Sequence, residues 1–426
     1  MSDQTVFALS TEASLATDIS LPAHDRAILR SLAMTVAGLA ARPLEQEKRE
    51  LWYRHNALLA TRPLIFCDPE NGWNEIITPE QLQCRSELGR DWEMLLRKEV
   101  FWGAEMGDDR VIEPFFNVAL AREESDWGMH ETKHRTQDDG SYIWDAPLRD
   151  YTVDLPRLRF PQITVDSGPT QRIVDLVNEV MGDILPARIK TPWWWTLGMT
   201  WTAINLRGLQ QFMFDMSDYP DELHRLMAFL RDGHMAKLNY LQENGFLSLN
   251  NDGTYVVSGG CGGSRELPQA DFTGRVRTQD MWGFAESQET VGVSPAMFEE
   301  FVFPYQLPLL ERFGLNCYGC CEPLDKRWHI VQRIPRVRRV SVSAWCNLAD
   351  MAEKLQGNYI FSWKPAPSDL AGTSFDEEAI RSMLRQGMDI GRNCCMEVIM
   401  KDNHTIRNDP RRVTRWVQIA REEAER

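Results

Sequence analysis

The sequence predicts a (β/α)8 barrel of the TIM type with an N-terminal helical extension and loop insertions. Three observations lead there. From residue 63 to the end, short apolar runs alternate with helix-period patterns, the alternation of a parallel α/β fold. Taking 246–250 together with 280–285 as one elaborated unit, the runs number eight. At 426 residues the chain is long enough for one large barrel preceded by an extension. The expected division is a helical extension over 1–62 and the barrel over 63–426.

The elements follow in order. Ile28, Leu29, Leu32, Ala33 and Val36 recur at helical spacing, and 44–55 is a charged amphipathic stretch, so the chain opens with helices. The first strand is expected at 63–68, closed by Pro69. The others are expected at 112–118, 189–197, 246–250 with 280–285, 315–320, 339–344, 359–363 and 395–401. Helices are expected at 171–181, 200–216, 220–244, 295–313, 325–333, 348–355, 376–388 and 410–423. Ser294-Pro295 and Asp409-Pro410 are cap-plus-first-turn pairs, Gly314 is a helix stop, and Asp325 is the expected cap of the helix after the fifth strand. Residues 121–170 and 251–279 read as insertions over one face of the barrel. The cluster Gly259-Gly260-Cys261-Gly262-Gly263 lacks phosphate-loop or dinucleotide spacing and reads as a flexible loop.

The richest chemistry lies in Gly314-Leu315-Asn316-Cys317-Tyr318-Gly319-Cys320-Cys321-Glu322. This apolar run ends in paired thiols and a carboxylate on a strand-to-helix turn, the level at which a parallel barrel presents its active site. Other polar residues follow strands on the same rim: Asp68 and Glu70, Glu286 and Gln288, Trp345, Lys364, and Lys401 with Asp402. The layers beneath are expected to hold bulky apolar side chains. Glu286 is the preferred general base or substrate anchor. Several of these groups also fit structural ion pairs or caps.

The formal charge of -15 argues against a nucleic-acid partner, whose phosphates demand a basic surface, and against an anionic membrane. No stretch approaches the roughly 20 apolar residues of a membrane helix, and the first residues lack a basic segment followed by an apolar core. A cytoplasmic protein is expected. Nine cysteines, two of the pairs adjacent in sequence, suit reduced thiols better than a disulfide framework.

Trp282-Gly-Phe-Ala-Glu-Ser-Gln-Glu289, Ser294-Pro295 with Phe298-Glu-Glu-Phe301 and Pro304-Tyr305, and Tyr318-Gly-Cys-Cys-Glu322 together resemble the uroporphyrinogen decarboxylase superfamily. Within it the similarity is to the corrinoid-linked, zinc-dependent methyltransferases, over roughly residues 190–426. The resemblance implies a (β/α)8 barrel, a zinc ion that activates a thiol, a methyl group carried by a separate corrinoid protein, and a homodimer. The family's His-x-Cys turn falls on Tyr318 and Cys320, so tyrosine stands where a histidine ligand is usual. The position of the family's second cysteine falls near His404. The ligand set this implies is Cys320, Cys321, Glu322 and His404, with Cys394 and Cys395 at the far end of the last strand. Cys320 and Cys321 also fit a reading as small buried fillers, with Glu322 bracing the turn.

Two mechanisms follow. In methyl transfer, a metal-bound group lowers the pKa of a thiol that exchanges methyl with a small substrate or a corrinoid, with Glu286, Lys401, Asp402 and Tyr318 as catalytic groups. In a cofactor-independent decarboxylase, Lys364, Lys401 or Arg407 holds a small carboxylate substrate while an acid returns the proton. The decarboxylase's Arg-rich loop corresponds here to Cys67-Asp-Pro-Glu-Asn-Gly-Trp73, which is acidic. Trp73, Trp195, Trp282 and Trp345 lie near strand ends and, with Asp68, Gln288 and Lys364, form the expected substrate-binding set. A non-catalytic binding protein on the same barrel is the third reading.

Overall fold

The computed structural model describes residues 19–135, 142–191, 196–256 and 258–426. Its strands are β1 (Leu64–Cys67), β2 (Phe116–Ala119), β3 (Arg122–Glu124), β4 (Thr132–Arg135), β5 (Tyr142–Asp145), β6 (Ile163–Val165), β7 (Ala187–Lys190), β8 (Trp282–Ala285), β9 (Leu315–Tyr318), β10 (Val337–Val342), β11 (Ile360–Trp363) and β12 (Cys395–Met400). Six of them form one parallel sheet in the order β1-β12-β11-β10-β9-β8. A second parallel pair joins β2 to β7, while β3–β6 and β4–β5 are antiparallel pairs. Strands such as β1, Leu-Ile-Phe-Cys, are buried along their whole length, because helices cover one face and the packed interior the other.

The helices that matter for the site are α1 (Ala23–Ala40), α2 (Pro43–Asn56), α3 (Thr200–Arg207), α4 (Leu209–Asp218), α5 (Pro220–Glu243), α6 (Pro295–Phe301), α7 (Phe303–Leu310), α8 (Trp328–Val331), α9 (Leu348–Leu355), α10 (Glu377–Ile390) and α11 (Arg411–Ala424). No single described helix is long and apolar enough to cross a membrane. The bent pair α1 and α2 together approaches that length, but its apolar residues Leu29, Ala33, Val36 and Trp52 are spent in the core.

At four places an expected element or cap is missing or interrupted, each with a local cause. Residues 246–250 form no strand, because the Asn250 side chain takes both ladder positions on Trp282. Its Oδ1 accepts from the Trp282 N–H at 2.9 Å and its Nδ2 donates to the Trp282 carbonyl at 3.0 Å. The expected helix over 200–216 splits into α3 and α4 at Gly208, whose φ of 88° belongs to the left-handed region. The helix over 295–313 splits before Pro304, which has no N–H to continue the ladder. Asp325 caps nothing: α8 begins only at Trp328, and Arg327 ahead of it reaches back to Ser287, Thr290 and Val293.

The N-terminal helices are continuous with the sheet rather than a separate layer. Leu29, Ala33 and Trp52 belong to the same core as Leu64, Val340 and Val398. The interior is not apolar throughout, as expected from sequence, but holds a buried charge network. Glu397 of β12 lies fully buried, with Oε1 3.0 Å from the Arg339 Nε of β10 and Oε2 3.1 Å from the His55 Nε2 of α2. The Gly260 N–H donates to Oε1 at 3.0 Å. Arg339 Nη2 also donates to Asn56 Oδ1 and the Cys261 carbonyl, and its guanidinium lies over the Trp282 ring at 4.9 Å. Burial alone would raise Glu397, but Arg339 and His55 bring it down to about 2. Burial alone would lower His55, but Cys395 and Glu397 push it up to about 9.

This network explains the glycine cluster, which is no flexible loop. A Cβ at Gly259 would collide with Arg339, and one at Gly260 with the Trp52 ring, so the backbone must pass the buried charges without side chains.

Two outcomes follow. Glu397→Ala leaves Arg339 buried without its carboxylate and should cost about 3–5 kcal/mol in urea unfolding. The sign of the pH dependence follows from the raised His55: its contribution is complete below the unfolded value of 6.5 and fades as pH rises through about 9. The stability gap between the native chain and His55→Gln should therefore narrow between pH 6.5 and pH 9, and a gap that widens there would contradict the assignment.

Candidate active site

The C-terminal ends of β1, β9 and β12 bring a thiol, an ammonium and two carboxylates together. Gly319, at φ 92°, turns the chain sharply after β9 and delivers Cys320 to the sheet end. Lys401 is the first residue after β12, and its Nζ lies 3.9 Å from Cys320 Sγ, 2.6 Å from Asp402 Oδ1 and 3.9 Å from Glu70 Oε1. Cys321 Sγ lies 3.6 Å from Cys320 Sγ and 3.6 Å from Asp402 Oδ2. Glu70 and Asp402 both hold left-handed backbone, φ 50° and 61°, which costs non-glycine residues about 1–3 kcal/mol each.

The electrostatics are those of an ion pair in a dry place. Cys321 donating to Cys320, together with the Lys401 ammonium and against the opposing effect of burial, brings the Cys320 thiol down to about 6. The Cys321 thiol moves the other way, held up by that same hydrogen bond and by burial. Burial by itself would lower Lys401, but Cys320, Asp402, Tyr255 and Glu70 around it raise it well above the usual lysine range. Glu70 is pushed up to about 7 by burial, which outweighs its attraction to Lys401.

Three further groups face this cluster. The Tyr255 hydroxyl is buried without a hydrogen-bond partner among the described residues, its ring stacked on Phe66 at 4.9 Å. The Ser258 hydroxyl is close enough to lower the Cys320 thiol further, yet makes no hydrogen bond of good geometry. Lys364 after β11 is buried on Ser362, and burial lowers its ammonium despite the negative charge that Cys317 and Cys320 bring. Buried polar groups without partners lose hydration with nothing in return, so a polar ligand would complete them. Tyr255 and Ser258 escaped the sequence reading because they lie in a segment that looked like an insertion. The one signal there was an aromatic and a hydroxyl residue directly ahead of the glycine cluster.

The expected metal ligands do not converge. Glu322 is turned away from the thiols: its Oε1 accepts from the Ser287 N–H at 2.8 Å and its Oε2 from the Cys320 N–H at 2.9 Å, bracing the turn. Burial, then the nearby Cys320 charge, pushes it up to about 7. His404 is exposed on the outer rim, with Nδ1 3.3 Å from Asn71 Nδ2. Among the described residues no three His, Cys, Asp or Glu side chains are arranged to hold a metal ion. The position beside Cys320 is taken by a cation already, the Lys401 ammonium.

The other expected residues divide similarly. Glu286 is fully buried, with Oε2 accepting from the Gln288 N–H and Oε1 unpartnered, and burial with Glu289 and Glu322 alongside holds its carboxyl well above the usual range. The surroundings thus disfavour the carboxylate form that a general base would need. The Tyr318 hydroxyl donates to Gln306 Oε1 of α7 at 2.7 Å and faces the helix layer rather than the thiols. Asp68 accepts from the Trp73 ring N–H at 2.9 Å, so these two expected substrate contacts engage each other. Trp282 is core, its ring N–H donating to the Gly262 carbonyl. Gln288 opens a 3-10 turn after β8, and Trp345 stands 79% exposed after β10. Trp195 lies outside the described residues, as do Trp193 and Trp194.

A cavity of about 770 Å³ elsewhere, lined by Arg411, Arg412, Arg415 and Arg421 of α11, is an ion-pair surface. Arg411, Arg415 and Arg421 there meet Asp409, Glu377 and Asp109. Comparison with protein-family models finds no match, and comparison with curated proteins finds none.

If Lys401 sustains the Cys320 thiolate, the native chain at pH 7.5 should show thiolate absorbance near 240 nm that drops by about one thiolate in Cys320→Ser and by a similar amount in Lys401→Met. Unchanged absorbance in Lys401→Met would contradict the pairing.

Proposed function

We propose that the chain is a methyltransferase built on a closed (β/α)8 barrel like that of the uroporphyrinogen decarboxylase superfamily, with a lysine in the place of a zinc ion. The reading of a closed barrel is supported at both free edges of the six-stranded sheet. The Asp109 N–H donates to the Ile65 carbonyl at 2.8 Å and the Leu197 N–H to the Phe284 carbonyl at 2.9 Å, so irregular segments continue the ladder toward β2 and β7.

The observation that carries the functional reading is the Lys401 Nζ placed 3.9 Å from Cys320 Sγ, with Glu70 3.9 Å from the same nitrogen. Zinc chemistry does not suit this donor set, since Glu322 is committed to backbone N–H groups and an ammonium already neutralises the sulfur. The Cys320 thiolate then acts as a general base. It takes the proton of an acceptor thiol as that sulfur attacks the methyl carbon; the new S–C bond forms while the bond to the donor breaks, its electron pair leaving with the donor. Lys401 keeps the base anionic, and the proton that Cys320 has taken passes to solvent at the end of the cycle. A corrinoid protein is the methyl-donating partner this reading proposes, and a small thiol the acceptor.

One observation favours a second reading, a carboxy-lyase. Two buried ammonium groups, Lys364 and Lys401, are set at the ends of nearby strands, an arrangement suited to a carboxylate. There the C–CO2 bond would break and the Glu70 proton would pass to the carbanion.

The test incubates the purified chain with methylcobalamin and a panel of small thiols after exhaustive chelation, following thioether formation by mass spectrometry. Thioether formation that survives chelation and falls about 10²–10⁴-fold in Cys320→Ser and Lys401→Met is expected. Activity restored only by zinc, or indifferent to Lys401, would overturn the reading. Release of CO2 from small carboxylates without thioether formation would transfer it to the lyase.

A further inference from the structure

At the opposite end of β12 lies a second thiol with chemistry of its own. Cys395 Sγ is 3.4 Å from His55 Nδ1, and the other ring nitrogen, Nε2, is 3.1 Å from Glu397 Oε2. Nucleophile, imidazole and carboxylate thus stand in a line, the carboxylate fixing the ring and the ring facing the sulfur, which is how a thiol is activated. We propose that Cys395 is a reactive thiol, a site of covalent modification by peroxides and soft electrophiles, with His55 as its proton partner and Glu397 as the group that positions His55.

Three observations support the choice. His55 has no exposure and no freedom to leave, because Glu397 is itself held by Arg339 and by the Gly260 N–H. Cys395 is half-buried, whereas Cys67, Cys84, Cys261, Cys317, Cys320 and Cys346 are buried. The other two half-buried thiols lack this partner: Cys394 Sγ faces the Ala352 carbonyl at 3.6 Å, with burial and Cys395 pushing it up to about 11, and the free Cys321 thiol is hydrogen-bonded to Cys320 at 3.6 Å. The sulfur also lies 3.3 Å from the His55 carbonyl, to which its neutral form can donate.

The step balances with hydrogen peroxide as the oxidant. The Cys395 sulfur attacks one peroxide oxygen, forming the S–O bond as the O–O bond breaks. The sulfur gives up two electrons and becomes a sulfenic acid, and the departing hydroxide takes the Nδ1 proton of His55 and leaves as water. Neutral His55 stays on Glu397.

The experiment treats the full chain with dilute hydrogen peroxide and dimedone, then maps labelled cysteines by fragmentation of the peptide spanning 393–401. Cys395 should be labelled about tenfold or more ahead of its neighbour Cys394, and His55→Gln should bring the two together. A second measurement needs no variant: at pH 6.5 Cys395 should react with iodoacetamide faster in the folded chain than in 6 M guanidinium. Equal labelling of Cys394 and Cys395, or slower alkylation in the folded state, would overturn the proposal.

Discussion

The carboxylate of Glu397 is the constraint on which the rest depends. A buried anion in the middle of a sheet is tolerable only if it is paired and hydrogen-bonded, and every nearby element is shaped by that requirement. Arg339 supplies the countercharge from two strands away, His55 closes the far side from α2, and the Gly260 N–H takes one lone pair. Because the charges fill the interior, the chain crossing them must be glycine, and Trp282 is drawn over the guanidinium. The N-terminal helices are therefore part of the sheet's packing: without α2 the carboxylate would lose its imidazole and Arg339 its Asn56.

Strand β12 distributes this chemistry by its two-residue period. Cys395, Glu397 and Lys401 fall on the same side of the strand, so one strand presents a thiol at its start, a carboxylate in its middle and an ammonium at its end. Each meets a different partner layer. The start faces α2, the middle faces β10, and the end faces the turn after β9 and the segment after β1. A single register shift would turn all of them outward at once, which ties the site's integrity to the pairing of β12 with β1 and β11.

What could be read from the sequence follows the range of the interactions involved. Strands β1, β9, β10, β11 and β12 and helices α5, α9, α10 and α11 announce themselves by local apolar periodicity, and the structure places them within a few residues of the expected ranges. Cys320, Cys321, Lys401 and Asp402 were legible as a group because each follows a strand, and strand ends in a parallel sheet share one face. The remainder depended on contacts across long stretches of chain. Nothing near His55 in sequence hints at Glu397, 342 residues later. Glu322 and Tyr318 were misassigned for a different reason: their chemistry suits a site, but local geometry turned one to backbone N–H groups and the other to Gln306. The glycine cluster was misjudged because flexibility and close approach to buried charge require the same residue.

The two thiols of this chain illustrate one physical device under opposite boundary conditions. Cys320 is enclosed, and its cation is a lysine that cannot easily release a proton, so the pair holds charge steady. Cys395 is half-buried, and its cation is an imidazolium that can give its proton away, so that pair can complete a reaction with a small oxidant arriving from solvent. The six steps from Cys395 to Lys401 place the two sulfurs' neighbourhoods about 20 Å apart at roughly 3.3 Å per residue. Between them stands the buried Arg339–Glu397 pair, which holds the middle of the strand and joins it to α2 through His55.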